Sequence, residues 1–127
     1  MQYAPFYVDG KINPSLINDT GINNVAEIAA YFKNNPKSRL NSNQLRKFYD
    51  SFLRIYNSRV NDDAKKVQLL MMKANVEYAA NRLKIFEFAD FIKNRVNIVI
   101  QEKENFDNYM NAFKLHFEAL VAYFPKN

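Results

Sequence analysis

The strongest constraint on how this chain folds is that residues 37–124 contain neither glycine nor proline. All-β folds need such residues at tight turns throughout the chain, whereas helices joined by short polar loops do not. The two glycines, Gly10 and Gly21, both lie near the start of the sequence. We therefore predict an all-α fold, a compact bundle of about five helices with a less regular N-terminal arm.

Apolar residues at spacings of three and four mark the expected helices. They are expected at about residues 24–34, 43–60, 61 onward, 83–101 and 105–124. Residues 1–22 are expected to form the arm, in which Asp9 and Gly10 would close a short hairpin. The chain is thus expected to be a single helical domain over residues 1–127, with the arm at 1–22 and the bundle at 23–127.

Two of the expected helices carry unusual apolar patterns. In the third, Leu69, Met72 and Val76 lie on the flanks of a predicted inner stripe. The stripe consists of Val67, Leu70, Met71, Ala74 and Tyr78. In the fourth, apolar residues cover well over a third of the circumference, which is wider than a surface helix needs. That helix is therefore either central to the bundle or partly covered by another protein chain.

Composition narrows the class of protein. Hydrophobic residues make up 48% of the chain, which is enough for a core and argues against disorder of the whole chain. No apolar run approaches the roughly 20 residues that a membrane helix requires, and the N-terminus lacks the pattern of a signal peptide. The absence of cysteine excludes disulfides and Cys-ligated metals. We expect a cytoplasmic protein without a membrane partner.

Positive charge is concentrated in one segment of the chain. Residues 37–59 contain six basic residues and one acidic residue, so this window carries +5 and the rest of the chain sums to zero. The six are Lys37, Arg39, Arg46, Lys47, Arg54 and Arg59. Such a local excess predicts a surface that faces a polyanion.

The second helix places three of these cations on its outer side. With about 100° per residue, Arg46, Lys47 and Arg54 fall within an arc of roughly 100° opposite the apolar side. Arginine suits phosphate because its planar guanidinium donates in a fork, and such backbone contacts carry little sequence information. The alternative is an ordinary solvated face, since lysine and arginine are good helix formers.

The sequence offers little catalytic chemistry. His116, the one histidine, has no evident catalytic partner and is expected to be packed or solvated. The acidic pairs lie at helix ends or on polar faces, and neither a phosphate-binding glycine motif nor metal-ligand spacing occurs. We therefore expect no enzyme activity, no cofactor and no metal site. The tyrosines at core spacing, Tyr31, Tyr49, Tyr56 and Tyr78, are expected to pack rather than to stack on bases.

Three stretches, in this order, resemble a known family. They are SNQLRKFYDSF at residues 42–52, LMMKANVEYAANR at 70–82 and FEALVAYF at 117–124. Together they resemble the small helical subunit of the type III-A CRISPR effector, the Csm complex. The likeness covers about residues 42–124. It departs from the family pattern at Met72, where proline is common, and at Phe124, where histidine is common.

The resemblance implies a non-catalytic subunit of an RNA-guided interference complex. Such subunits stack in several copies along the interior of a ribonucleoprotein filament. They lie beside the repeated backbone subunit and against the large polymerase-type subunit. They line the channel that holds the guide RNA and the target RNA, and they contact the RNA through basic residues.

The candidate RNA-binding residues follow from the resemblance and from charge. Arg46 and Lys47 match the first family motif, and Lys73 and Arg82 match the second. Position on the helix and charge add the remaining candidates, Arg54, Arg39 and Lys37. Lys73 and Arg82 point to opposite sides of one helix, so at most one is expected to face the same groove, and the other would brace the bundle.

Two further hypotheses compete with RNA binding. The first is a helical protein–protein adaptor whose basic face meets an acidic partner, with no direct nucleic-acid role. The second is a helical DNA-binding regulator, which ranks last because the sequence lacks the glycine turn typical of a short helix-turn-helix.

Overall fold

The computed structural model describes residues 2–37 and 40–125. In this part of the chain, a two-stranded hairpin and a short 3₁₀ turn at Pro14–Leu16 precede five α-helices. The hairpin consists of β1 (Tyr7–Val8) and β2 (Lys11–Ile12). The helices are α1 (Val25–Asn34), α2 (Ser42–Tyr56), α3 (Asp62–Leu83), α4 (Phe86–Gln101) and α5 (Phe106–Tyr123). The predicted all-α bundle with an N-terminal arm is confirmed.

The hairpin of the arm turns at Asp9 and Gly10, as predicted. Their φ angles are 53° and 76°, and a type I′ turn needs positive φ at both of its central positions. The strands pair antiparallel, with Tyr7 opposite Ile12. The hairpin therefore forms at an Asp-Gly pair, a residue combination suited to such a turn.

Asparagine side chains start the first three helices. Asn24, Asn41 and Asn61 each accept a hydrogen bond from the backbone N–H three residues further on. At Asn41, the side chain of Gln44 also accepts from the Asn41 N–H and completes a capping box. These bonds supply partners for N–H groups that the helix leaves free. They explain why α1, α2 and α3 begin within a residue or two of the predicted positions.

Two helix boundaries differ from the prediction. The second helix ends at Tyr56 rather than near residue 60, and Lys65 Nζ donates to the Tyr56 carbonyl at 3.0 Å. The fourth helix begins at Phe86 rather than near residue 83. Here Lys84 adopts a left-handed conformation, with φ of 61°, and this ends α3.

The predicted inner stripe of α3 is wrong. Leu69, Met72 and Val76, predicted for the flanks, form the buried side together with the two small residues Ala79 and Ala80. The predicted stripe faces solvent instead, with exposed fractions of 60% for Val67, 49% for Leu70, 57% for Met71 and 69% for Tyr78, and Ala74 is also exposed. Both sides of α3 are apolar, so periodicity alone does not decide which one is inside. The packing predicted for Tyr78 is wrong for the same reason.

The wide apolar face of α4 is explained by its central position. Its buried residues are Phe88, Ala89, Phe91, Ile92, Arg95, Val96 and Val99. The helix packs against α3 and α5, and the arm covers a further side. There the ring of Tyr3 lies edge-on to Phe91, with 5.3 Å between ring centroids. Of the two predicted explanations for this face, the central position is therefore confirmed.

An aromatic cluster in the core sets the orientation of α2. Phe113 and Phe117 of α5 are fully buried, and the ring of Phe52 lies 4.6 and 5.8 Å from their ring centroids. Aromatic pairs of this kind contribute about 0.5–1.5 kcal/mol beyond the burial of their area. Because Phe52 points at α5, the opposite side of α2 faces outward.

Candidate nucleic-acid interface

The outward side of α2 carries the basic residues predicted from the sequence. Leu45, Tyr49 and Phe52 are the buried residues of this helix, whereas Arg46, Lys47 and Arg54 are all exposed. The structure therefore brings these three cations together on one solvent-facing side. We call Arg46, Lys47 and Arg54 the α2 basic face.

The α2 basic face lies between two grooves. Arg46 borders hollows shared with Val121 of α5, and Arg54 borders a groove shared with Val67 and Met71 of α3. A long ligand crossing α2 would thus pass from one groove to the other over Lys47.

The cations of the α2 basic face form no ion pair within the described residues, and the one acid of α2, Asp50, lies on the same side of the helix, four residues from both Arg46 and Arg54. The ion pairs in the described residues join Lys93 to Glu77 at 2.6 Å, Lys93 to Asp90 at 3.6 Å, and Lys114 to Glu118 at 3.7 Å. None involves α2. Exposed cations without a carboxylate partner keep their charge available to an external anion.

The tyrosines of α2 pack against the bundle, as Tyr49 illustrates. Its hydroxyl donates to Glu118 Oε1 at 3.3 Å, and its ring packs on Phe117 with 5.2 Å between centroids. Burial raises the pKa of the Tyr49 hydroxyl, and the nearby Glu118 carboxylate adds to the rise. Tyr49 is buried, and Tyr31 and Tyr56 are half-buried, so the packing predicted for these three is confirmed.

The remaining candidates are distributed around the bundle. Lys37 is exposed just beyond α1, where its backbone N–H donates to Asn35 Oδ1. Arg39 lies outside the described residues. Lys73 Nζ donates to Asn97 Oδ1 of α4 at 2.8 Å, so it braces α3 against α4. Arg82 is exposed, and its guanidinium carbon lies 5.7 Å from the ring centroid of Tyr78.

Arg95 is a buried cation for which no role was predicted. It is 1% exposed, and its Nη1 donates to the Ala4 carbonyl at 2.8 Å. Its guanidinium carbon lies 4.6 Å from the Phe6 ring centroid and 5.5 Å from that of Tyr3. Burial lowers its pKa to about 10, so it stays charged at neutral pH. The position of Arg95 on the apolar stripe of α4 indicated that it would be buried. Its partner could not be identified from the sequence, because Ala4 lies 91 positions away in the chain.

His116 is also buried and binds the arm. It is fully buried, and its Nδ1 lies 2.9 Å from the Leu16 carbonyl oxygen. Burial lowers the pKa of His116 to about 4, and the charge of Arg95 contributes to the decrease. At neutral pH the ring is therefore neutral and, with its proton on Nδ1, donates to Leu16. His116 was predicted to be either packed or solvated, and the structure confirms that it is packed.

Comparison with known proteins identifies the family. A family model described as Csm2 Type III-A matches residues 19–126. Searches of curated proteins and of solved structures give no match. No helix in the described part of the chain is long and apolar enough to span a membrane. Since the matched segment includes all three motifs and all five helices, the chain belongs to the Csm2 family, the small helical subunit of the type III-A CRISPR–Cas effector complex.

Proposed function

We propose that this subunit has no catalytic activity and lines the guide–target RNA channel of its complex, where the α2 basic face contacts RNA phosphates. The observation that carries this proposal is the set of three exposed cations on one side of α2, for which the described residues supply no ion-pair partner. An arginine or lysine held this way binds phosphate without reading the base sequence. That property suits a complex in which base pairing selects the target.

The flanking candidates extend the proposed contact surface. Lys37 and Arg39 precede α2 in the chain, so we propose that they contact RNA next to the α2 basic face. Of the two candidates on α3, we propose Arg82 as the RNA contact, since Lys73 already donates to Asn97. By helical position Arg82 lies opposite Lys73, on the flank of α3 that faces α2.

Protein contacts form the other part of the proposed role. The exposed apolar residues Leu70, Ala74 and Tyr78 on α3 suit burial by a neighbouring subunit. We propose that the partners are the repeated backbone subunit, the large polymerase-type subunit and further copies of this chain. The site of action is then the cytoplasm.

Salt-dependent RNA binding tests the α2 basic face. We expect the isolated chain to bind single-stranded RNA weakly, with an affinity that falls steeply as salt rises. The double variant Arg46→Gln, Lys47→Gln should reduce the slope of log K against log salt by about 0.7 for each phosphate that the variant no longer neutralises. Fluorescence anisotropy with a labelled RNA at several salt concentrations measures this slope.

A charge-matched control distinguishes RNA binding by the α2 basic face from binding that depends only on the total positive charge of the chain. The variant Lys11→Gln, Lys103→Gln removes the same charge from two exposed positions outside residues 37–59. It should bind RNA almost as the unmodified chain does. If the α2 variant keeps the full salt slope at unchanged helicity, the assignment of this face is wrong.

The exposed apolar residues of α3 favour one second candidate, the protein–protein adaptor without a nucleic-acid role. In that case the α2 basic face would meet an acidic partner. Purification of the native complex with and without nuclease distinguishes the two candidates. RNA-independent assembly combined with an absence of bound RNA supports the adaptor.

A further inference from the structure

A groove of about 360 Å³ lies between the outer sides of α2 and α3. Its apolar lining includes Phe48 and Ile55 of α2 and Val67 and Met71 of α3. The two residues of α2 are half-buried, whereas those of α3 are mostly exposed. Nothing in the described chain covers this concave apolar surface. Such a surface, bordered by a few polar groups, is typical of a ligand site.

Two amide side chains border this α2–α3 groove. Gln68 shares a 3.0 Å hydrogen bond with Ser58 Oγ, which itself donates to the Ile55 carbonyl at 2.8 Å, so at least one Gln68 amide N–H can donate elsewhere. The Asn75 side chain has no hydrogen-bond partner within the residues that the structure describes, and it is exposed. A nucleobase has flat faces that pack on apolar side chains and a polar edge that bonds to groups such as these amides.

Arg54 places a positive charge on the lining of the same groove. One guanidinium nitrogen, Nη2, donates to Ser51 Oγ at 3.1 Å. Within the described chain Arg54 forms no ion pair, so its other N–H groups can donate to an external phosphate. Because a phosphate and its base belong to one nucleotide, an RNA phosphate on Arg54 brings a base next to the groove.

We propose that the α2–α3 groove binds one unstacked base of single-stranded RNA while Arg54 holds its phosphate. The inference rests on the proposed function and extends it from backbone contact to a base subsite. The free cation and the two amides favour a nucleotide over a protein segment in this groove. The apolar residues Leu70 and Tyr78, which suit a protein partner, do not line it.

The methionines of the intact chain provide a direct test. With ¹³C-methyl labels, Met71 and Met72 report on the groove, and the buried Met110 of α5 reports on the core. The probes are hexauridylate, whose bases stack weakly on one another, and a reduced abasic hexamer of equal charge. We expect hexauridylate to shift the Met71 and Met72 methyl signals in NMR spectra. The abasic hexamer should bind through its phosphates without shifting them, and Met110 should stay unshifted with both.

The outcomes separate this inference from the function on which it rests. Equal shifts with the abasic hexamer would overturn the base subsite. Binding of hexauridylate without a shift of the Met71 and Met72 signals would also overturn the base subsite. The proposed phosphate contacts of the α2 basic face would not be affected by that result. If neither hexamer binds at low salt, the proposed function itself fails.

A pair of neighbouring variants sharpens the test. Met71→Ala removes part of the apolar lining and should weaken hexauridylate binding about tenfold through the loss of buried apolar area, with abasic binding unchanged. Leu70→Ala is the matched control because Leu70 is exposed on the same helix but lies outside the groove. Leu70→Ala should leave both affinities unchanged. Equal losses in the two variants, or no loss in Met71→Ala, would reject the groove as the base site.

Discussion

At the scale of single residues, two buried polar side chains connect the arm to the bundle. Arg95 reaches the Ala4 carbonyl and the ring of Phe6, and His116 reaches the Leu16 carbonyl. Within the described residues, neither buried group is paired with a carboxylate. Arg95 is stabilised by a carbonyl oxygen, the Asn94 side-chain oxygen and aromatic faces. His116 is accommodated as a neutral ring, and this makes the fold sensitive to acid.

We predict that His116 makes the stability of the protein depend on pH. Its pKa in the folded chain is about 4, against an ordinary value of 6.5. Between these values the unfolded chain binds one proton more than the folded chain. The contribution of neutral His116 to the free energy of unfolding should therefore be complete above pH 6.5. Below that pH, the free energy of unfolding should fall by about 1.4 kcal/mol for each pH unit until the pH approaches 4. Urea unfolding at several pH values between 7.5 and 4.5 measures this slope.

The variant His116→Phe serves as the control for this prediction. It removes the titrating group together with the bond to Leu16, so its stability at pH 7.5 should be lower. However, its slope between pH 6.5 and 5 should be nearly flat, because the chain has no other histidine. A variant with the same slope as the unmodified chain would show that other groups cause the acid sensitivity.

At the scale of secondary-structure elements, the junction of α3 and α4 is strained at one residue. Lys84 has φ of 61° and ψ of 45°, a left-handed conformation in which a side chain costs about 1–2 kcal/mol. Its backbone N–H still donates to the Ala80 carbonyl at 2.9 Å. Glycine is the usual residue at such a helix end. The left-handed conformation of Lys84 thus provides a hydrogen bond for the Ala80 carbonyl at the end of α3, but it strains the backbone.

Lys84→Gly should therefore stabilise the protein. Relief of the strain exceeds the added freedom of the unfolded chain, which costs about 0.4–1 kcal/mol, so we expect a net gain of about 0.5–1 kcal/mol. Chemical unfolding measures the gain. Lys84→Ala loses the same side chain beyond Cβ but keeps the strain, so it should bring no gain. A lower stability of the glycine variant would contradict this account.

The elements themselves were largely predictable from sequence, whereas the inward side of α3 was not. Asn41 and Gln44 carry a local capping signal, and Asp9-Gly10 carries a local turn signal, so both features were visible along the chain. The orientation of α3 depends on a choice between two apolar sides that only packing against α4 makes. The left-handed Lys84 lacks the glycine signal that usually marks such a point. The α2 basic face was predictable because its cations lie opposite a single apolar side.

At the scale of the whole molecule, the family match and the packed core do not begin at the same residue. The Csm2 model matches from residue 19, yet Phe6 and Leu16 are buried in the bundle. Arg95 and His116, both inside the matched region, bind carbonyls of the preceding segment. We propose that the arm and the bundle unfold together as a single domain.

Removal of residues 2–17 tests this proposal. The truncated chain would lose the burial of Phe6 and Leu16, each contributing about 1.5–3 kcal/mol, and would leave Arg95 without its carbonyl partner. We expect a large decrease in the thermal midpoint, measured by circular dichroism at 222 nm, or loss of cooperative unfolding.

Phe6→Ala should destabilise the protein less than the truncation does, by about 3–5 kcal/mol in the free energy of unfolding. The control Val8→Ala, at an exposed position of β1, should unfold almost as the unmodified chain does. A truncated chain that melts at the unmodified midpoint would mean that the arm is a separate attachment and that the bundle alone is the domain.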